Sequence, residues 1–219
     1  PESVKLAKTI ADESTVLLKN ENQLLPLDAK SLKSIAIIGP NADQVQFGDY
    51  TWSRNNKDGV TPLQGIKNRV NKNTAIHYAK GCSLTSLDTS GIAEAVEAAK
   101  NSEVAVIFGG SASAALARDY KSSTCGEGFD LNDLNLTGAQ SQLIREVYRT
   151  GTPVILVLVT GKPFVIEWEK NNLPAILVQW YAGEQAGNSI ADILFGEVVP
   201  SGRLTFSFPR STGHLPVYY

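Results

Sequence analysis

The chain has 219 residues, of which 42% are hydrophobic, and a formal net charge of −2 at pH 7. This length and composition suit one large α/β domain with a full core, and they exclude a low-complexity disordered protein. Charges of both signs are interspersed, so no basic face indicates a nucleic-acid partner. Apolar runs such as 154–159 are too short to cross a bilayer, so we expect no membrane span.

Strand-like apolar runs alternate with helix-like segments along the chain. Apolar residues at helical spacing predict a helix over the first 20 residues. Buried strands are predicted at 34–38, 74–78, 104–108, 154–159 and 175–179. Helices are predicted at 61–70, 90–101, 137–150 and 184–195.

Local signals predict how two of these helices begin and how the chain ends. Thr61 is expected to cap the helix at 61–70, with Pro62 at its first position. Thr137 and Gln140 form a capping-box pattern for the helix that runs to about residue 150. Residues 203–208 alternate in hydrophobicity and follow Pro-Ser-Gly without a crossover helix, which predicts an antiparallel edge strand.

The predicted fold is a three-layer α/β sandwich. It has a mostly parallel sheet of about six strands, one of them an antiparallel edge strand, and helices on both faces. No repeat or linker divides residues 1–219, which are expected to form a single domain. In such sheets ligands bind at the carboxyl ends of the strands, where the loops after the strands at 34–38 and 104–108 emerge.

The second of these loops contains the sequence Thr-Cys-Gly-Glu-Gly-Phe-Asp at 124–130. Glycines on both sides of Glu127 relax the backbone limits and remove side-chain bulk, so the carboxylate can approach a ligand closely. This setting favours a catalytic acid over an ordinary solvated glutamate. Asp130, three residues later, is the alternative candidate for the acid.

Several other chemistries are disfavoured by the sequence. The chain has no Gly-x-Ser-x-Gly elbow and no phosphate-binding loop ending in Lys-Ser or Lys-Thr. The loop at 39–43 lacks the Gly-x-Gly-x-x-Gly fingerprint of dinucleotide binding, so we expect no cofactor. Cys82 and Cys125 lack metal-ligand spacing, so we expect no metal site and favour two free thiols over a bridge.

A series of segments resembles glycoside hydrolase family 3 in the order in which that family carries them. They are 14–20 with Leu-Pro-Leu at 25–27, 35–42, 126–130, 136–140, 182–187, 193–196 and 200–204. Each segment is weak evidence singly, but together they are specific and cover nearly the whole chain. The resemblance is to the second, α/β-sandwich domain of that family.

The resemblance implies a division of catalytic groups between two domains. Family members carry the nucleophilic Asp on an N-terminal (β/α)8 barrel, and a loop of the sandwich domain donates the general acid/base, which Glu127 matches. The chain begins at Pro1 without an initiator Met, so it is expected to be a fragment whose partner is that barrel. Alone it should bind sugar weakly and hydrolyse little. Periplasmic or secreted localisation is implied.

The resemblance also points to a substrate class and to aromatic contacts. The sequences at 48–52 and 124–131 are most similar to the β-xylosidase-like branch, so an exo-acting β-xylosidase or β-glucosidase acting on plant-type oligosaccharides is expected. Tyr50 and Trp52 are candidates for packing against the aglycone side, or alternatively for anchoring the loop.

The chain departs from the family pattern at Leu131, which replaces a common Arg and puts the usual ion pair of Asp130 in doubt. The competing functions are a noncatalytic carbohydrate-binding or scaffold domain and a flavodoxin-like nucleotide binder.

Overall fold

The computed structural model describes residues 2–51, 53, 55–113 and 124–217. Within these residues there are six α-helices and six strands. In chain order they are α1 (Glu2–Ser14), β1 (Val16–Asn20), β2 (Ser34–Ile38), α2 (Pro62–Arg69), β3 (Ala75–Ala79), α3 (Ile92–Lys100), β4 (Val104–Gly110), α4 (Gln140–Tyr148), β5 (Val154–Val159), α5 (Glu167–Asn172), β6 (Ala175–Val178) and α6 (Ala186–Leu194). No described helix is long and apolar enough to cross a membrane.

The six strands form one sheet in the order β1-β6-β5-β4-β2-β3. All neighbouring pairs are parallel except β1 and β6, which are antiparallel. Every residue of β4 and β5 is buried, as expected for central strands of a parallel sheet that is covered on both sides. The predicted α/β fold with one antiparallel edge strand is therefore confirmed.

Alternate residues of the strands belong to two separate hydrophobic cores, one on each face of the sheet. Helices α3 and α4 pack on one face against Ile107 and Leu156, among others. Helices α2 and α6 pack on the other face against Val106 and Ile155, among others. Because side chains of a strand alternate between the two sides of the sheet, neighbouring strand positions stabilise opposite layers. The result is the predicted three-layer sandwich.

Two local predictions about the edges of the sheet are wrong. The antiparallel edge strand is β1, which lies inside the segment predicted as helix and pairs Val16 with Val178. Residues 203–208, predicted as that strand, form no strand. Their alternating apolar residues pack instead, since Leu204 and Phe208 lie against the core and Phe206 meets the Trp180 ring edge-on at 5.6 Å. Helix α5 was not predicted.

The predicted helix caps had different outcomes. Thr61 caps α2, because its Oγ1 accepts the backbone N–H of Gln64 at 3.2 Å, and Pro62 begins the helix. The capping box at α4 is wrong. Thr137 Oγ1 donates to the Leu84 carbonyl at 2.7 Å, and the helix begins only at Gln140. The Gln140 side chain does reach Thr137, but its Nε2 donates to the Thr137 carbonyl at 3.2 Å, whereas a capping box needs a side-chain oxygen that accepts the Thr137 N–H.

The chain order of the strands reverses between β2 and β4, which are neighbours in the sheet. From β2 the chain continues to β3 on one side, whereas from β4 it continues to β5 on the other. The loops that leave these two strands therefore both emerge at the carboxyl edge of the sheet, at the point where the chain order reverses. This is the place where open α/β sheets bind their ligands.

Candidate functional site

The candidate site is formed where the loop after β2 meets the loop after β4. Residues 111–113 and 124–125 of the second loop run side by side. Ala112 N–H donates to Thr124 Oγ1 at 3.0 Å, and Ser113 forms an isolated parallel bridge with Cys125. The backbone that leads into Glu127 is thus attached to the end of the sheet.

Gln140 fixes the end of β4 from which this loop departs. Its Oε1 accepts the Gly110 N–H at 2.8 Å, and its Nε2 donates to the Gly110 carbonyl at 3.0 Å. Nε2 also lies 3.0 Å from the Leu84 carbonyl. Because Gln140 is 1% exposed, these bonds satisfy an amide that would otherwise be costly to bury. The side chain of Gln140, the first residue of α4, therefore holds the start of the loop at Gly110 and does not cap the helix.

Glu127 lies at the exposed tip of this arrangement. Gly126 has a φ of +120° and Gly128 a φ of +76°, values that side-chain-bearing residues rarely adopt. The Glu127 N–H donates to Asp49 Oδ2 at 2.8 Å, and its carboxylate Oε2 accepts the Tyr50 hydroxyl. The expected presentation of this carboxylate by two flanking glycines is therefore seen in the backbone itself.

Tyr50 and Glu127, which the sequence places 77 residues apart, are brought into direct contact. The hydrogen bond to Glu127 raises the pKa of the Tyr50 phenol, so this hydroxyl remains a proton donor at neutral pH. The ring is 85% exposed and its face is open to solvent. The other aromatic candidate, Trp52, lies outside the described residues.

A buried chain of hydroxyl groups supports the loop from below. Ser111 Oγ donates to Thr160 Oγ1 at 3.1 Å and lies 2.6 Å from the Tyr181 hydroxyl. Since a serine hydroxyl has one proton, Tyr181 must be the donor in the second bond. Burial raises the pKa of Tyr181 well above its usual range, which keeps that proton in place.

Lys162 joins this support to the loop that carries Glu127. Its Nζ donates to the Thr124 carbonyl, two residues before Gly126. Burial lowers the pKa of the ammonium group, whereas Cys125, Asp130 and Asp133 oppose that change by favouring its charged form. Asp130, the alternative acid, is thus one of the charges around Lys162, and it is exposed.

Reasoning from the sequence missed several of these site residues, namely Asp49, Ser113, Lys162 and the hydroxyl-bearing residues Ser111, Thr160 and Tyr181. Asp49 directly precedes Tyr50 in a segment already singled out, so its position was a usable signal. The others carry no such signal, because their roles arise only where distant strands end side by side.

The two cysteines are free, as expected from the sequence. Cys125 is half-buried beside the candidate acid, whereas Cys82 is buried and burial raises its pKa to about 11. No group of three or more His, Cys, Asp or Glu residues in the described part of the chain is arranged to hold a metal ion.

Comparison with known proteins adds independent information about this chain. Residues 15–219 match the family described as the glycosyl hydrolase family 3 C-terminal domain. The chain is similar to a β-xylosidase of Formosa agariphila, with 42% identity over 98% of the chain and 29% of that protein. It is also similar to a periplasmic β-glucosidase of Salmonella typhimurium, with 39% identity over 98% of the chain and 30% of that protein.

The fold also matches solved structures. A β-glucosidase from Erythrobacter marinus superimposes with a TM-score of 0.87 and 34% sequence identity, covering 100% of this chain and 31% of that one. The chain therefore spans less than a third of the length of each of these relatives.

Proposed function

This chain belongs to glycosyl hydrolase family 3, as its C-terminal domain, and on that basis we propose that it supplies the general acid/base of a retaining, exo-acting β-glycosidase. Glu127 is the proposed acid/base. The observation that carries the proposal is the exposed Glu127 carboxylate at the carboxyl edge of the sheet, held between two glycines of positive φ. The 219 residues act as one domain beside a (β/α)8 barrel of the same protein.

The chemistry requires a second carboxylate that this domain does not provide. In a retaining glycosidase a nucleophilic carboxylate attacks the anomeric carbon while the acid protonates the oxygen of the leaving group. The two carboxyl groups lie roughly 5 Å apart, on either side of the scissile bond. In the second step the same Glu127, now ionised, takes a proton from the water that releases the sugar. The barrel supplies the nucleophile and most contacts to the glycone, so the chain alone hydrolyses little.

Tyr50 and Trp52 are proposed to contact the aglycone part of the substrate. The open face of Tyr50 suits the C–H groups of a sugar, and its hydroxyl reaches Glu127 at the same time. The substrates are proposed to be β-xylosides or β-glucosides at the nonreducing ends of plant-type oligosaccharides. Similar proteins are named as enzymes of both kinds, and one of them as periplasmic, which supports a periplasmic or secreted enzyme.

The test compares wild-type enzyme with Glu127→Ala in the full-length protein, using aryl β-xylosides and aryl β-glucosides. Loss of a general acid lowers the rate by roughly 10²–10⁴-fold when the leaving group is poor. We therefore expect Glu127→Ala to lose activity on natural disaccharides. On dinitrophenyl glycosides it should keep nearly wild-type kcat/KM, because the first step needs little acid, but kcat should fall because the second step lacks its base. Added azide should restore turnover and give a β-glycosyl azide, because a small anion can replace the base-activated water.

Asp130→Asn is the matched control, since Asp130 is a neighbouring exposed carboxylate in the same loop. It should retain nearly wild-type kcat/KM on every substrate. If Asp130→Asn gives the pattern of acid loss instead, the acid has been assigned to the wrong carboxylate. If Glu127→Ala leaves all substrates unimpaired, the domain is a noncatalytic carbohydrate-binding or scaffold domain and the proposal fails.

A further inference from the structure

The carboxylate of Asp49 joins the two loops of the site. Oδ2 accepts the backbone N–H of Glu127 at 2.8 Å, and Oδ1 accepts the hydroxyl of Ser113. Asp49 is half-buried and Ser113 is fully buried, so these bonds are partly shielded from water. Hydrogen bonds to an ionised acceptor are stronger than those between neutral groups. The Glu127 backbone is therefore attached to the loop after β2 by a charged acceptor.

The backbone at Gly126 is shaped to this carboxylate. A Cβ placed on Gly126 would lie 2.6 Å from Asp49 Oδ2 and 2.7 Å from Oδ1. Real Cβ atoms essentially never have contacts under 3.0 Å, so the carboxylate keeps this position only because residue 126 has no side chain. At Gly128 nothing lies within 4 Å of such a Cβ. The two flanking glycines thus have different roles, and the first makes room for Asp49.

Tyr50, the residue after Asp49, contacts the side-chain carboxylate of Glu127. Its hydroxyl donates to Oε2, while Asp49 accepts from the main chain. Two adjacent residues of one loop therefore contact both the backbone and the carboxylate of the same glutamate. An exposed side chain held only by its own loop would sample several rotamers, whereas these two contacts restrict the direction of the carboxylate.

We propose that Asp49 is a positioning residue for the reaction, which orients the Gly126–Glu127 peptide so that the Glu127 carboxyl group meets the oxygen of the leaving group. The inference rests on the proposed acid/base role of Glu127. Asp49 acts through Glu127 and does not contact the scissile bond. A displacement of about 1 Å in a reacting group costs up to ~10²-fold in rate. The loss should fall on the step that needs the proton.

Asp49→Asn is the most informative substitution because it keeps the size of the side chain. An amide has no negative charge and only one accepting oxygen, so either the Glu127 N–H faces an N–H₂ group, or Ser113 Oγ must accept where it now donates. Asp58→Asn is the matched control. Asp58 lies in the same loop and also accepts a hydrogen bond from a serine, Ser53, but it has no bond to Glu127.

The experiment measures kcat and KM of the full-length enzyme on aryl β-glycosides whose leaving groups range from dinitrophenol to phenol. For Asp49→Asn we expect kcat/KM on the phenyl glycoside to fall by at least ~10-fold, and by up to ~10²-fold. On the dinitrophenyl glycoside, which needs little acid assistance, the fall should be less than about threefold. Because the same displacement also slows the base-assisted second step, kcat and KM for the dinitrophenyl substrate should fall together. The circular dichroism spectrum should stay unchanged. Asp58→Asn should follow wild type on all substrates.

Glu127→Ala, measured in the same series, separates failure of this inference from failure of the proposed function. If Glu127→Ala depends steeply on the leaving group but Asp49→Asn does not, the positioning role of Asp49 is overturned and the acid assignment stands. An equal loss for Asp49→Asn on every leaving group, with a lower urea midpoint, would also overturn it, because that pattern indicates general damage. If Glu127→Ala itself shows no dependence, both ideas fall together.

Discussion

The centre of the sheet and the loops at its carboxyl edge are held together by different forces. In the centre, side chains such as Phe108 are 0% exposed and pack on every side, whereas Tyr50 at the edge is 85% exposed. The centre is stabilised by burial of apolar surface, which many residues share. The edge depends on a few directed contacts, notably those of Asp49 and Gln140. Substitutions in the centre of the sheet should therefore lower stability, whereas substitutions in the edge loops should mainly disturb the geometry of the site.

The largest expected effect on stability is in the centre of the sheet, at Leu156. Its register partners are Ile107 on β4 and Ile176 on β6, and it is 0% exposed. Leu156→Ala should lower the free energy of unfolding by about 3 kcal/mol, because it removes buried methyl groups and leaves a cavity. Urea denaturation followed by circular dichroism measures this change.

Leu87→Ala is the matched control, because Leu87 is 81% exposed. It should change the free energy of unfolding by less than ~0.5 kcal/mol. Similar losses for Leu87→Ala and Leu156→Ala would contradict the assignment of stability to the central strands.

An intermediate effect is expected at Gly126, which lies at the border of the two regions. Gly126→Ala should cost about 2 kcal/mol, since it adds left-handed strain and forces Asp49 away from the Glu127 backbone. In the full-length enzyme it should also reduce kcat/KM on phenyl glycosides. Urea denaturation and steady-state kinetics measure the two effects.

Gly128→Ala separates strain from the contact with Asp49. Its φ is also positive, but the added methyl group would meet nothing within 4 Å. We expect a cost of about 1 kcal/mol from strain alone, with a smaller loss of activity than for Gly126→Ala. Equal kinetic losses for the two variants would show that the contact with Asp49 is unimportant.

The smallest expected effect is a difference in chemical reactivity between the thiols of Cys82 and Cys125. Burial raises the pKa of Cys82 to about 11, so at pH 8 only about one molecule in a thousand carries its thiolate. Iodoacetamide at pH 8 should therefore modify the half-buried Cys125 and leave Cys82 unmodified, as measured by peptide mass spectrometry. Modification of Cys82 should accelerate as the pH rises toward 11. Equal modification of both residues at pH 8 would mean that the core opens readily.

The sequence by itself determined the elements whose residues have one favourable environment. Strands β2 and β5 were predicted with the bounds that the structure has, because runs of Ile, Val and Leu of that length are stable only when buried on both faces. The position of Glu127 in a loop at the carboxyl edge followed from the order of strands and helices. Its backbone conformation followed from two glycines, whose tolerance of positive φ is a local property.

Only the tertiary structure decided the elements whose local preference is weak or shared. Val16, Leu17 and Leu18 fit a helix or a strand equally well, and pairing with β6 makes them a strand. Thr137 and Gln140 form a good capping pattern, yet their side chains also bond to backbone groups of Leu84 and Gly110, and the bonds between them do not have the directions of a capping box. The contact of Asp49 with Glu127 joins residues 78 positions apart. No local rule predicts such a contact, because it exists only where the fold brings two strand ends together.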